Sequence, residues 1–88
     1  MSQLAMLAIL KDQEGKTTNV ITIQAGERLE FGRYTDKPTP HVKVRPVNGG
    51  GSSFTTYEFS GKVVIQNALG TVIEEVEASL FMEQSKNG

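Results

Sequence analysis

Residues 4–24 have the sequence LAMLAILKDQEGKTTNVITIQ, and this segment indicates the fold class. Leu4 to Leu10 is an unbroken apolar run, which as a strand would be buried on both faces. Asp12 to Gly15 is typical of a tight hairpin connection, because glycine accepts a positive φ. Asn19 to Gln24 is rich in β-branched residues, with its two isoleucines on one face. The segment therefore predicts two antiparallel strands joined by a hairpin.

Further strands are predicted along the chain at intervals of about ten residues. A third strand contains Leu29 and Phe31, which alternate with Glu30 and glycine. His41 to Val47 is predicted as the fourth strand, and Phe54 to Gln66 as a long fifth strand. Such spacing is typical of an all-β domain. We therefore expect a small sandwich or barrel of about six antiparallel strands.

The segment from Thr71 to Met82 has two interpretations. In a strand, one face would carry Val72, Val76, Leu80 and Met82, and this is the preferred prediction although Ile73 and Phe81 break the alternation. Thr71 and Glu74 also fit a helix capping box, and several apolar residues form a helical stripe. The alternative is therefore an α+β fold with a C-terminal helix over residues 71–83.

The length of 88 residues predicts a single small β-rich domain over residues 1–83. Residues 84–88 are polar and are expected to form a disordered tail. The chain has no cysteine, so a disulfide framework and a four-cysteine zinc site are excluded. The apolar run near the N-terminus is too short to span a bilayer. We expect a soluble, cytoplasmic protein that has no membrane partner.

The formal net charge is −1, but the charges are unevenly distributed. Residues 1–45 carry seven Lys and Arg and five Asp and Glu, whereas residues 46–88 carry two Lys and five Glu. The two halves are mildly complementary in charge. This asymmetry is compatible with steering a partner or a second copy of the chain, so a homo-oligomer is one expectation.

The segment from Pro38 to Ser53 contains the candidate binding surface. His41, Lys43 and Arg45 alternate with valines, so a strand would place the three basic side chains on one face. Pro46 has no N–H to donate to a neighbouring strand, which favours a sheet edge. This edge has two interpretations, a docking site or an edge protected against aggregation. The candidate binding residues are Arg33, Lys37, His41, Lys43 and Arg45.

No constellation of residues indicates catalysis. The chain lacks cysteine and has one histidine, and the nearby serines lie in a glycine-rich loop that offers poor preorganisation. Gly49, Gly50 and Gly51 form a flexible loop without the Lys and Ser or Thr of a P-loop. The glutamates of residues 74–77 are typical of a solvated face and not of a metal site. We expect no enzymatic activity, no metal and no cofactor.

Binding of another protein is the preferred functional hypothesis. The basic strand favours a partner with an acidic surface, docked by strand addition or by charge, and the chain would act as an inhibitor, adaptor or assembly component. Small inhibitors made by phages and mobile elements often have this composition. The alternative is a single-stranded nucleic-acid-binding β-barrel that uses the basic patch from Arg33 to Arg45, with Tyr34 or Phe54 stacking on bases. The net charge makes nucleic acid the weaker hypothesis.

Overall fold

A computed structural model describes residues 4–48 and 55–81, which form two antiparallel sheets. The four-stranded sheet has the order β2-β1-β6-β7, and the three-stranded sheet has the order β3-β4-β5. The prediction of a small all-β fold is confirmed, as two packed sheets and not a closed barrel. The strands are β1 (Leu4–Lys11), β2 (Thr17–Gln24), β3 (Glu27–Arg33), β4 (Pro40–Pro46), β5 (Thr56–Glu58), β6 (Lys62–Asn67) and β7 (Val72–Glu77).

The predicted hairpin over residues 4–24 is present and forms one side of the four-stranded sheet. β1 pairs antiparallel with β2, and on its other side with β6. Gly15 adopts a φ of 86° in the connection. The Asp12 carboxylate accepts hydrogen bonds from the N–H groups of Glu14 and Lys16, both at 2.9 Å. This Asx-type turn explains why the polar run after the first strand reverses the chain.

The predicted fifth strand, Phe54 to Gln66, is wrong as a single element. It is two strands, β5 and β6, which belong to different sheets. Between them the chain crosses at Gly61, whose N–H donates to the carbonyl oxygen of Lys11 at 2.9 Å. A Cβ on Gly61 would lie 2.7 Å from that same oxygen, so only glycine allows this close approach of two backbones. The observed total is therefore seven strands within the described residues.

The C-terminal segment confirms the preferred prediction of a strand and contradicts the alternative helix over residues 71–83. β7 pairs with β6, with a register irregularity next to Val72 that explains the imperfect alternation of the apolar residues. The strand ends at Glu77, and residues 79–81 form a helical turn. That turn returns Phe81 to the core, where its ring lies 6.0 Å from Phe31 and 6.4 Å from Phe59.

The core lies between the inner faces of the two sheets. Leu10, Ile23 and Val63 of the four-stranded sheet and Val42 of the three-stranded sheet are completely buried. Burial of these side chains contributes about 1.5–3 kcal/mol each relative to exposure, and this is the main force that holds the sheets together. Phe59 belongs to this buried cluster, and Phe31 and Phe81 pack against it.

β4 is a strand, as predicted, but the prediction that it is a sheet edge is wrong. It is the middle strand of its sheet, paired with β3 along its whole length and with β5 from His41 to Lys43. Pro46 is tolerated because it is the last residue of β4, beyond the pairing with β5. Neither strand addition at β4 nor a protective role for its charges fits a central position.

Candidate protein-interaction surface

The basic residues of β4 lie on the outer face of the three-stranded sheet, as the alternation predicts. Val42 is buried in the core, and Val44 packs against it from the same side. His41, Lys43 and Arg45 therefore point away from the core. We call this outer surface the charged face, defined by Arg28, Glu30, His41, Lys43, Arg45 and Glu58.

Strand register brings residues of β3 into the charged face. Arg28 lies opposite Arg45, and Glu30 lies opposite Lys43. The Glu30 carboxylate accepts a hydrogen bond from Arg28 at 2.8 Å and from Arg45 at 3.3 Å. Like charges placed opposite each other on neighbouring strands are unfavourable, and Glu30 offsets the repulsion between the two arginines. The Arg28 hydrogen bond, more than any other contact, lowers the pKa of Glu30, so the carboxylate is ionised at neutral pH.

A second carboxylate, Glu58 on β5, lies at the other end of the charged face. It accepts hydrogen bonds from the Lys37 ammonium and from the Thr39 hydroxyl, both at 3.0 Å. The Lys37 contact lowers the pKa of Glu58, and Glu58 in turn raises the pKa of Lys37. These bonds attach the loop before β4 to the neighbouring strand β5.

His41 is the one predicted binding residue of this face whose side chain is nearly inaccessible, with 6% of its surface exposed. It lies beside Gly32 on β3, and the Tyr34 ring stacks on it with centroids 4.4 Å apart. Burial, and secondly the charge of Lys43, lowers the pKa of His41. The imidazole is therefore neutral at pH 7 and supports Tyr34 as a packing residue.

Arg33 does not join the other predicted residues. It is the last residue of β3 and lies two residues after the core-facing Phe31, so it lies on the same side of the strand as Phe31 and opposite the charged face. Its guanidinium donates a hydrogen bond to the carbonyl oxygen of Lys37 at 3.2 Å. This bond stabilises the loop between β3 and β4. The predicted flexible loop of Gly49, Gly50 and Gly51 lies outside the described residues.

The charged face contains residues that the sequence analysis missed. Arg28 and Glu30 alternate with Leu29 and Phe31, so their common face was available from the sequence. Their position beside β4 follows only from the pairing of β3 with β4. The result is a cluster of three cations around a single carboxylate, namely Arg28, Lys43 and Arg45 around Glu30.

A shallow pocket of about 200 Å³ lies beside β5 and is lined by Thr39, Glu58, Phe59 and Ser60. Within residues 4–48 and 55–81, no group of three or more acidic or histidine side chains is arranged to hold a metal ion. The same part of the chain has no helix with the length and apolarity needed to cross a membrane. What the arrangement offers chemically is a surface of paired charges.

Comparisons with known proteins add no family to this description. A scan against protein-family models, a search of curated proteins and a search of solved structures each found no match for this chain.

Proposed function

We propose that the protein is a non-enzymatic, cytoplasmic binding domain that docks an acidic surface of another protein through the charged face. One observation supports this most directly: Arg28 and Arg45 both form ion pairs with Glu30, and Lys43 lies opposite Glu30 on the paired strand. The charged face as a whole, with three cations and two carboxylates, has a formal charge of +1 in a protein whose net charge is −1. A partner that presents carboxylates matches this local excess.

The mode of binding is contact with a sheet face, because β4 is not an edge. The two arginines stand side by side on paired strands, and each guanidinium is a planar donor suited to carboxylates. Glu30 holds both side chains near one position, which reduces the rotamer entropy that binding must overcome. A partner carboxylate adds to this network without removing Glu30.

Charge reversal on the charged face tests the proposal. We expect the double substitution Lys43→Glu and Arg45→Glu to weaken binding of a labelled glutamate-rich peptide about tenfold, since two attractions are lost and two repulsions are added. Fluorescence anisotropy measures the affinity, and thermal unfolding checks that the fold is retained.

The matched control is the double substitution Lys11→Glu and Lys16→Glu, which makes the same charge change at the β1–β2 turn of the other sheet. The control variant should bind the peptide nearly as well as the wild type. If both variants weakened peptide binding equally, the change in affinity would follow from net charge alone. That result would contradict a docking role for the charged face. Quantitative pull-downs from source-cell lysate with the same variants then identify the partner.

Single-stranded nucleic acid is the second candidate, and Tyr34 is the observation in its favour. The residue is 44% exposed, and the Lys37 ammonium lies 6.0 Å from the centroid of its ring. A base can stack on an aromatic ring beside a cation. Against this, Glu30 and Glu58 interrupt the positive surface. A labelled oligothymidine whose log affinity falls steeply with log salt, while the glutamate-rich peptide does not bind, would replace the first proposal by this one.

A further inference from the structure

β2 is an edge strand whose own residues carry no charge, although the Glu27 carboxylate accepts a hydrogen bond from the N–H of its last residue, Gln24, at 2.9 Å. It lies at one end of the four-stranded sheet and pairs on one side with β1. No other described strand pairs with it. Its eight residues, Thr17 to Gln24, include no charge, no proline and no glycine. A long uncharged edge strand presents a row of backbone donors and acceptors to any chain that can align with it.

The other three edge strands of the described residues are protected by charge or by shortness. β7 carries Glu74, Glu75 and Glu77, and β3 has two acidic and two basic residues. β5 has only three residues and includes Glu58. Charged side chains and short edge strands are the devices by which proteins prevent edge-to-edge association. Among the described edges, β2 alone lacks them.

We propose that β2 pairs antiparallel with β2 of a second copy of this chain, joining the two four-stranded sheets into one continuous sheet. Such a pair has a two-fold axis between the two strands. Each residue near the axis therefore lies opposite the same residue of the other chain, or opposite a residue close to it in sequence. A charged strand would therefore repel its own copy, as β7 would with its three glutamates. β2 carries no charge, so two copies of it do not repel each other. An uncharged strand also suits a second copy of itself better than it suits a charged partner.

The side chains of β2 suit this arrangement on both faces. Ile21 and Ile23 lie in the core and would extend it across the junction of the two sheets. On the outer face, Val20 is 57% exposed and lies between Thr18 and Thr22 near the middle of the strand. Pairing with the copy would bring Val20 next to Val20 or Thr22 of the other chain, both of which are typical of paired strands. This surface is on the opposite sheet from the charged face, so it is independent of the proposed docking function.

A concentration series in sedimentation equilibrium tests the proposal. The wild type should show a reversible monomer–dimer equilibrium. Val20→Lys should be monomeric, because two like charges then meet near the axis. An equimolar mixture of Val20→Lys and Val20→Glu should restore a heterodimer, because the charges become opposite. Val20 is largely exposed, so neither substitution should disturb folding of the monomer.

The matched control is Ile73→Lys, which adds the same charge at an exposed apolar residue of the opposite edge, β7. This variant should dimerise as the wild type does. A wild type that stays monomeric up to about 1 mM, where a standard free energy of association of about −4 kcal/mol becomes visible, overturns the proposal. So does a dimer that Val20→Lys leaves intact, or one that Ile73→Lys abolishes.

Discussion

Gly61 is the residue whose absent side chain matters most to the fold. A Cβ there would lie 2.5 Å from the carbonyl carbon of Asp12 and 2.7 Å from the carbonyl oxygen of Lys11, and backbone atoms cannot rotate away as side chains can. Gly61→Ala should therefore lower the free energy of unfolding by about 3 kcal/mol. Urea denaturation monitored by circular dichroism measures the change.

Gly15→Ala is the control for the loss of a glycine as such. Gly15 has a φ of 86°, and no atom lies within 4 Å of the position that a Cβ would occupy. The substitution therefore costs only the strain of the left-handed backbone, about 1 kcal/mol. Equal destabilisation by the two substitutions would show that the close approach at Gly61 carries no special energetic weight.

His41 makes stability depend on pH in a defined direction. Burial, and then the charge of Lys43, lowers the pKa of His41 below its usual value of 6.5. The unfolded chain therefore takes up a proton near pH 6.5, while the folded chain does not. The neutral imidazole contributes fully to the free energy of unfolding above pH 6.5. This contribution is lost as the pH falls from 6.5 towards the lower pKa of the folded state. Thermal unfolding should accordingly show a melting temperature that decreases as the pH is lowered through this range.

His41→Phe is the control, since it retains a ring under Tyr34 but cannot titrate. The variant should lose the slope just below pH 6.5 and keep the acid destabilisation below pH 4.5, where Glu30 and Glu58, whose pKa values are lowered from 4.5, become protonated. His41 is the only histidine, so its NMR titration gives one assignable curve. A midpoint at or above 6.5 would contradict the burial argument.

At the scale of elements, the C-terminal turn is part of the core although it follows the last described strand. Phe81 stacks on Phe31 at 6.0 Å and meets Phe59 edge-on at 6.4 Å. Phe81→Ala should lower the free energy of unfolding by about 2 kcal/mol, somewhat less than for a fully buried phenylalanine. Chemical denaturation measures it against Leu80→Ala, whose side chain is 54% exposed and should cost less than about 0.5 kcal/mol. A larger loss at Leu80 than at Phe81 would be incompatible with the aromatic cluster.

The elements that the sequence predicts well are those marked by local chemistry. The apolar run, the Asp12 turn and the β-branched residues each describe β1, β2 and their connection without reference to the rest of the chain. The split of β5 from β6 was missed because its cause is the distant Lys11–Asp12 backbone, against which Gly61 packs. The proline at the end of β4 likewise led to the prediction of a sheet edge. The true position of β4, between β3 and β5, depends on long-range pairing that the local sequence does not specify.

At the scale of the whole molecule, the uneven charge of the two halves of the chain becomes a smaller difference between the strands of the two sheets. The strands of the four-stranded sheet carry two lysines and three glutamates, and its acids lie on the edge strand β7. The strands of the three-stranded sheet carry four Lys and Arg and three Glu, with the cations concentrated on its outer face. The sequence asymmetry between residues 1–45 and 46–88 pointed to uneven charge, but the folded arrangement determines which surfaces differ.

The candidate surface was partly predictable for the same reason. Alternation in β4 correctly placed Lys43 and Arg45 together, because the period of a strand is a local property. The accompanying acids, Glu30 and Glu58, come from other strands and convert a purely basic patch into a network of paired charges. The burial of His41 under Tyr34 depends on the conformation of the loop between β3 and β4, which no local pattern specifies.

The position of β1 between β2 and β6 has a consequence for how fast the domain folds. Pairing with β2 is local, but residues 6–11 must also find residues 62–67 near the other end of the chain. Such distant pairing is slow, and β-rich domains of this kind fold in about milliseconds to seconds. Before β6 pairs with β1, an early β1–β2 hairpin exposes apolar side chains on both faces of β1. Such a hairpin is only marginally stable alone. We therefore expect the nascent chain to be most vulnerable to aggregation during synthesis, before residues 62–67 have left the ribosome.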